Sequence, residues 1–221
     1  MMFKSVIFDM DGVIINSEPL HRKSYYLMFE ELNIDVPEDL YASFTGMATM
    51  PICEKICDFF SLNQSPETLV DTKRKYFSGL FEKGYKLNLI EGVLELIKHY
   101  YENGISLVLA SSASMENIEM IFKKFDLNQY FQAKISGADL KESKPNPEIF
   151  IKATELSGNS KKDCVVIEDA TNGIIAAKSA GLFCIAYNGD DSKSQDYSKA
   201  DLVINNFENI YIEKLKTIKS N

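Results

Sequence analysis

Apolar positions fall into two regimes along the chain. Short apolar runs ending in polar or glycine-containing turns predict strands at Val6 to Phe8, Ile105 to Ala110, Val165 to Ile167 and Phe183 to Tyr187. Weaker runs predict short strands around Ala133 to Ser136 and at Leu202 to Ile204. Between these, apolar residues recur at helical spacing and predict helices over Val93 to Asn103, Met115 to Phe125, Pro147 to Leu156 and Gly173 to Ala180, with a last helix over Tyr211 to Lys219. Gly104 and Gly181 stand where a helix end favours glycine. Strand and helix in alternation imply a parallel sheet covered on both faces.

Residues 17 to about 86 break that alternation, with no strand pattern. Ser17-Glu18-Pro19 is a helix start, with Ser as N-cap and Pro at an early position, and Leu20 to Leu32 continues it. After the break at Asn33 to Pro37 come a helical stretch to Phe44, a helix over Pro51 to Phe60 and another over Pro66 to Phe81. In the last, Leu69, Tyr76, Phe77 and Leu80 mark the apolar face, and Asp71, Lys73, Arg74 and Lys75 read as polar. The expected architecture is α/β: a doubly wound parallel-sheet core of residues 1–16 and 89–221, interrupted by an α-helical cap of residues 17–88. An insert that leaves and re-enters at the carboxyl edge of the sheet is expected to act as a lid.

Composition narrows the function classes. With 221 residues, 45% hydrophobic and 25% charged, the chain is ordinary for a globular protein. A formal charge of −8 argues against nucleic acid or an anionic membrane as the main partner. No apolar stretch approaches the ~20 residues of a membrane-spanning helix, and the N-terminus runs directly into the first strand, so a cytoplasmic location is expected. Cys53, Cys57, Cys164 and Cys184 match no zinc spacing and read as buried thiols.

Candidate chemistry lies at the strand ends. The first strand stops in Asp9-Met10-Asp11-Gly12. Two carboxylates facing one site about 4 Å apart repel by roughly 4 kcal/mol at an effective dielectric of 20, so a cation is expected between them. Asp-x-Asp-Gly also occurs in surface turns and calcium loops. The second strand ends in Ser111-Ser112-Ala113-Ser114, hydroxyls and amides suited to phosphate oxygens or simply to capping a helix. After the third, two prolines stiffen the loop Ser143-Lys144-Pro145-Asn146-Pro147, and the fourth ends in Glu168-Asp169, costly to bury without a cation. Together they form a phosphoryl-transfer site, in which Lys⁺ and hard-oxygen-bound Mg²⁺ offset the repulsion between carboxylate and phosphate.

In this order, Asp9-Met-Asp11-Gly-Val, the Ser111 strand end, Lys144-Pro-x-Pro and Glu168-Asp169 with Asn172-Gly173 resemble the four signature motifs of the haloacid dehalogenase superfamily, with its Rossmann-like core. By pattern the chain is similar to that superfamily's β-phosphoglucomutases and sugar-phosphate phosphatases. The resemblance implies Asp9 as nucleophile and Asp11 as general acid and base. Ser111 or Ser112 and Lys144 would hold the phosphoryl group; Asp9, Asp11 through its carbonyl, Glu168 and Asp169 would hold Mg²⁺. In the cap it implicates His21, Thr45, Gly46 and Lys75. Where the mutases carry a Lys before the Gly and an Arg three residues after it, this chain has Thr45 and Thr49. Hydrolysis of a small phosphosugar is therefore expected, with mutase activity as the alternative. The expected state is a monomer or weak homodimer.

Overall fold

The computed structural model describes residues 3–44, 47–189 and 195–214. These form two compact units, one of Met1–Ile15 with Leu89–Asn221 and the other of Asn16–Asn88. In chain order the elements are β1 (Ser5–Phe8), β2 (Ile15–Asn16), α1 (Glu18–Leu32), α2 (Glu38–Ala42), α3 (Thr49–Phe60), α4 (Pro66–Glu82), β3 (Asn88–Leu89) and α5 (Val93–Glu102). They continue with β4 (Ser106–Ser111), α6 (Met115–Lys124), β5 (Ala133–Ser136), α7 (Glu148–Ser157), β6 (Cys164–Glu168), α8 (Thr171–Ser179), β7 (Phe183–Tyr187) and β8 (Leu202–Ile204).

The larger unit is the doubly wound α/β core. Its six strands pair entirely in parallel in the order β5-β4-β1-β6-β7-β8, so β1 lies between β4 and β6. Side chains alternate across such a sheet. Ile7, Val108, Ala110, Val166 and Cys184 pack with Ile149, Phe150 and Ala153 of α7 and Ile174, Ala176 and Ala177 of α8. Phe8 belongs to an aromatic cluster with Tyr100 of α5 and Phe131, extended by Phe3 and Phe122. Tyr100 is fully buried, and its hydroxyl donates to the Ile210 carbonyl at 2.6 Å. β2 and β3 pair as a separate two-stranded sheet. At two residues each they are too short for a sequence pattern.

In the smaller unit, α1 to α4 enclose their own core, including Tyr25, Met28, Phe29, Tyr41, Phe44, Ile52, Cys53, Ile56, Leu69 and Val70. Ser65 caps α4 by accepting from the Thr68 amide, and Pro66 follows it in the first turn. One residue departs from the expected faces of α4: Lys73 is only 2% exposed. It lies four positions from both Leu69 and Phe77, which places it on the buried stripe despite its charge. All four cysteines are buried and unpaired, as their apolar settings predicted. Among the described residues, no helix is long and apolar enough to cross a membrane. The last expected helix begins near Tyr211, and most of its range lies outside the described residues.

Tyr100→Phe removes one hydroxyl without opening a cavity, leaving the Ile210 carbonyl without that donor. A loss of about 1–3 kcal/mol is expected, read as a lower urea midpoint at unchanged slope; a midpoint equal to wild type would show that the bond contributes nothing.

Candidate active site

Strand register brings the site together. Phe8 of β1 is level with Leu109 of β4 and Ile167 of β6, so the next residues, Asp9, Ala110 and Glu168, emerge side by side at the carboxyl edge. In an open α/β sheet that edge is where ligands bind. The Asp9 amide is held by the Ile167 carbonyl at 3.0 Å.

Lys144, from the loop before α7, places its Nζ in the middle of this row. It donates to Asp9 Oδ1 at 2.6 Å, to Glu168 Oε1 at 2.9 Å and to the Ala110 carbonyl at 3.1 Å. All three ammonium hydrogens thus have acceptors on three neighbouring strands. The Phe150 ring lies 4.8 Å from the same nitrogen, adding a cation–π contact. Glu168 Oε2 accepts from the amides of Asp169 at 2.7 Å and Ala170 at 2.8 Å, the latter the N-cap of α8. Negative charge is favoured at that helix terminus.

Charge is unevenly balanced here. Burial pushes the Asp9 carboxyl up to about 8; Lys144 opposes the shift, while Glu168 and Asp11 add to it. Asp169 is raised well above the usual carboxylate range by burial, and then by Glu168 and Asp9. For Lys144 burial works against the charge, but Asp9 and Glu168 outweigh it and its pKa is raised. One ammonium among four acids leaves a negative excess. Asp9, Asp11 and Asp169 supply hard oxygens of the kind that Mg²⁺ or Ca²⁺ favours. Glu168, also expected among the metal ligands, has Oε1 against Lys144 and Oε2 against the amides of Asp169 and Ala170. Among the described residues, no three such side chains are already gathered around a common metal position.

Asp11 and Gly12 lie in a tight turn. The Met10 carbonyl accepts from the amides of Ile14 at 2.8 Å and Ile15 at 3.0 Å, while the Gly12 amide donates to the Ile15 carbonyl at 2.8 Å. Gly12 has φ of +83°, and a Cβ there would come within 2.0 Å of Asp169 Oδ2. Glycine therefore allows both the turn and the position of the Asp169 carboxylate. Ser114 caps α6 through the Asn117 amide, so the capping reading of the serine cluster belongs to that residue. Ser111 is fully buried, its hydroxyl accepting from the Ala113 amide at 3.1 Å, and Ser112 is half-buried beside it.

In the helical unit two lysines two positions apart have different settings. Lys75 is exposed, whereas Lys73 Nζ lies 2.7 Å from His21 Nδ1 and about 5 Å from the rings of Tyr25 and Phe77. Thr45 and Gly46 lie outside the described residues.

A family model for haloacid dehalogenase-like hydrolases matches residues 6–187, which include every strand-end group of the site. The chain belongs to the haloacid dehalogenase-like hydrolases. A phosphorylated carbohydrates phosphatase of Thermotoga maritima is 29% identical over 86% of this chain and 89% of the relative. The β-phosphoglucomutase of Bacillus subtilis is 29% identical over 96% and 93%. Among solved structures, CbbY from Rhodobacter sphaeroides in complex with xylulose-1,5-bisphosphate superposes with a TM-score of 0.83 at 26% identity, covering 93% of this chain and 95% of that one. The haloacid dehalogenase-like family is generally metal-dependent, consistent with the negative excess at the strand ends.

That excess makes metal-free stability depend on pH. With Asp9 at about 8 when folded and 3.8 in its ordinary state, the native protein holds the extra proton between those values. Stability therefore falls as pH rises from about 4 to 8. In EDTA the melting temperature of wild type should drop across this range more steeply than that of Asp9→Asn; parallel curves for the two proteins would contradict the assignment.

Proposed function

We propose that the chain is a Mg²⁺-dependent phosphomonoester hydrolase acting on a small phosphorylated sugar through an aspartyl-phosphate on Asp9. The observation that carries this reading is the Lys144 ammonium 2.6 Å from the Asp9 carboxylate, with Asp11 two residues away in the same turn. The ammonium opposes the upward push of burial on the Asp9 carboxyl and so favours its ionised form, the form that attacks.

The chemistry follows from these residues. Asp9 attacks phosphorus, the bond to the sugar oxygen breaks, and Asp11 protonates the departing alkoxide. Asp11 then takes a proton from water as it attacks the aspartyl-phosphate, releasing phosphate and restoring Asp9. Ser111 or Ser112 and Lys144 carry the charge on the non-bridging oxygens. Asp9, Asp169 and the Asp11 carbonyl would hold Mg²⁺, with Glu168 engaged in holding Lys144. When bound, the ion supplies further neutralisation of phosphate charge. The names of the relatives support phosphosugars as the substrate class. The acidic composition favours a small metabolite over nucleic acid as the partner.

A mutase is the second reading. Thr49 stands where that pattern has a cation, but Lys73, beside His21, is a buried cation within the helical unit. A mutase must hold a sugar bisphosphate while it turns over, and hydrogen bonds to charged groups contribute roughly 1.5–3 kcal/mol each.

Asp9→Asn should remain folded by circular dichroism yet release no p-nitrophenol from p-nitrophenyl phosphate with Mg²⁺; wild-type turnover in that variant contradicts the nucleophile assignment. Wild type should release inorganic phosphate from hexose monophosphates faster than it converts β-glucose 1-phosphate to glucose 6-phosphate, even with glucose 1,6-bisphosphate supplied. A coupled dehydrogenase assay beside phosphate detection decides this, and bisphosphate-dependent isomerisation outpacing phosphate release establishes the mutase.

A further inference from the structure

Gly173 is the third residue of α8, inside a helix where glycine is among the least favourable residues. It is buried, and it is not among the glycines with positive φ, so its backbone conformation does not call for glycine. The space beside it does. A Cβ at this position would lie 1.6 Å from Glu168 Oε1, 2.0 Å from Cδ and 2.6 Å from Oε2.

The end of a flexible side chain usually swings away from such a clash, but Glu168 is only 2% exposed and is held on both oxygens. Moving it breaks the contact with Lys144 at 2.9 Å and those with the Asp169 and Ala170 amides. A buried carboxylate gives up such partners only at considerable cost. Gly79, inside α4, is the contrasting case: a Cβ there meets nothing within 4 Å.

We propose that Gly173 is a positioning residue: lacking a Cβ, it leaves the space in which the Glu168 carboxylate lies on the first turn of α8 and steers Lys144 onto Asp9. The effect on rate rests on the phosphatase reading; the effect on side-chain placement does not. Losing Glu168 from this place leaves Lys144 with two acceptors and frees its ammonium to shift. A displacement of about 1 Å at a reacting group can cost 10²-fold in rate.

The test uses Gly173→Ala, Glu168→Asp, their combination, and Gly79→Ala as control, each followed by thermal melting and by kcat/KM for p-nitrophenyl phosphate. Gly79→Ala should keep wild-type activity and melt at or above the wild-type temperature. Gly173→Ala should melt lower and lose about 10- to 10²-fold in kcat/KM while folded. Glu168→Asp, one methylene shorter, should lower both quantities in wild type but raise both in the Gly173→Ala background. That reversal of sign supports the proposal, and it remains readable in melting temperature if Gly173→Ala folds poorly. If Gly173→Ala instead melts like the control and keeps activity within about twofold, or if the two substitutions simply add, the proposal is overturned. A wild-type protein without phosphatase turnover, together with a reversal in melting temperature, overturns the functional reading and leaves the placement standing.

Discussion

Three strand ends carrying two carboxylates and a carbonyl share one buried ammonium, and the rest of the core can be read as what allows that arrangement. Isolated in a low-dielectric interior, each of these ions costs several kcal/mol to desolvate. The cost is offset only because the partners are complete: Lys144 spends every N–H on Asp9, Glu168 and Ala110, and Glu168 takes two further amides. Remove one member and a buried charge is left exposed to its neighbours' repulsion.

That completeness explains the scaffold around it. β1 must lie between β4 and β6, because only adjacent parallel strands in register deliver Asp9, Ala110 and Glu168 level with each other. α7 and α8 cover one face of these strands, and each contributes to the charge centre through its start: α7 brings Phe150 beneath Lys144, and α8 brings the Ala170 amide to Glu168. Hydrophobic packing thus fixes the ends of elements whose polar groups would otherwise be free to relax.

Much of this was legible in the sequence. The strands Ala133–Ser136, Phe183–Tyr187 and Leu202–Ile204 have the predicted bounds, and the acids were conspicuous because an apolar run cannot end in Asp9 or Glu168-Asp169 without a reason. Helix starts were less clear: α3 begins at Thr49 instead of Pro51 and α8 at Thr171 instead of Gly173, since proline is tolerated in a first turn and a glycine interrupts the apolar periodicity. Lys73 was assigned to the polar face by its charge, although its spacing from Leu69 and Phe77 already placed it inward. Other features had no local sign. Lys144 and Asp9 are 135 positions apart, and the gap at Gly173 exists only once Glu168 has folded back onto α8.

The full occupation of Lys144 also bears on how phosphate is held. On the proposed reading, an arriving phosphoryl oxygen finds no vacant donor on this lysine and must displace, or share with, an acceptor already there. Binding through Lys144 is then an exchange between nearly equivalent oxygens, so the net gain is smaller than the strength of the new bond. The same exchange works in reverse for the product. As inorganic phosphate withdraws, the Asp9 and Glu168 oxygens are on hand to take its place, so the ammonium is never stranded and product need not linger to keep it company.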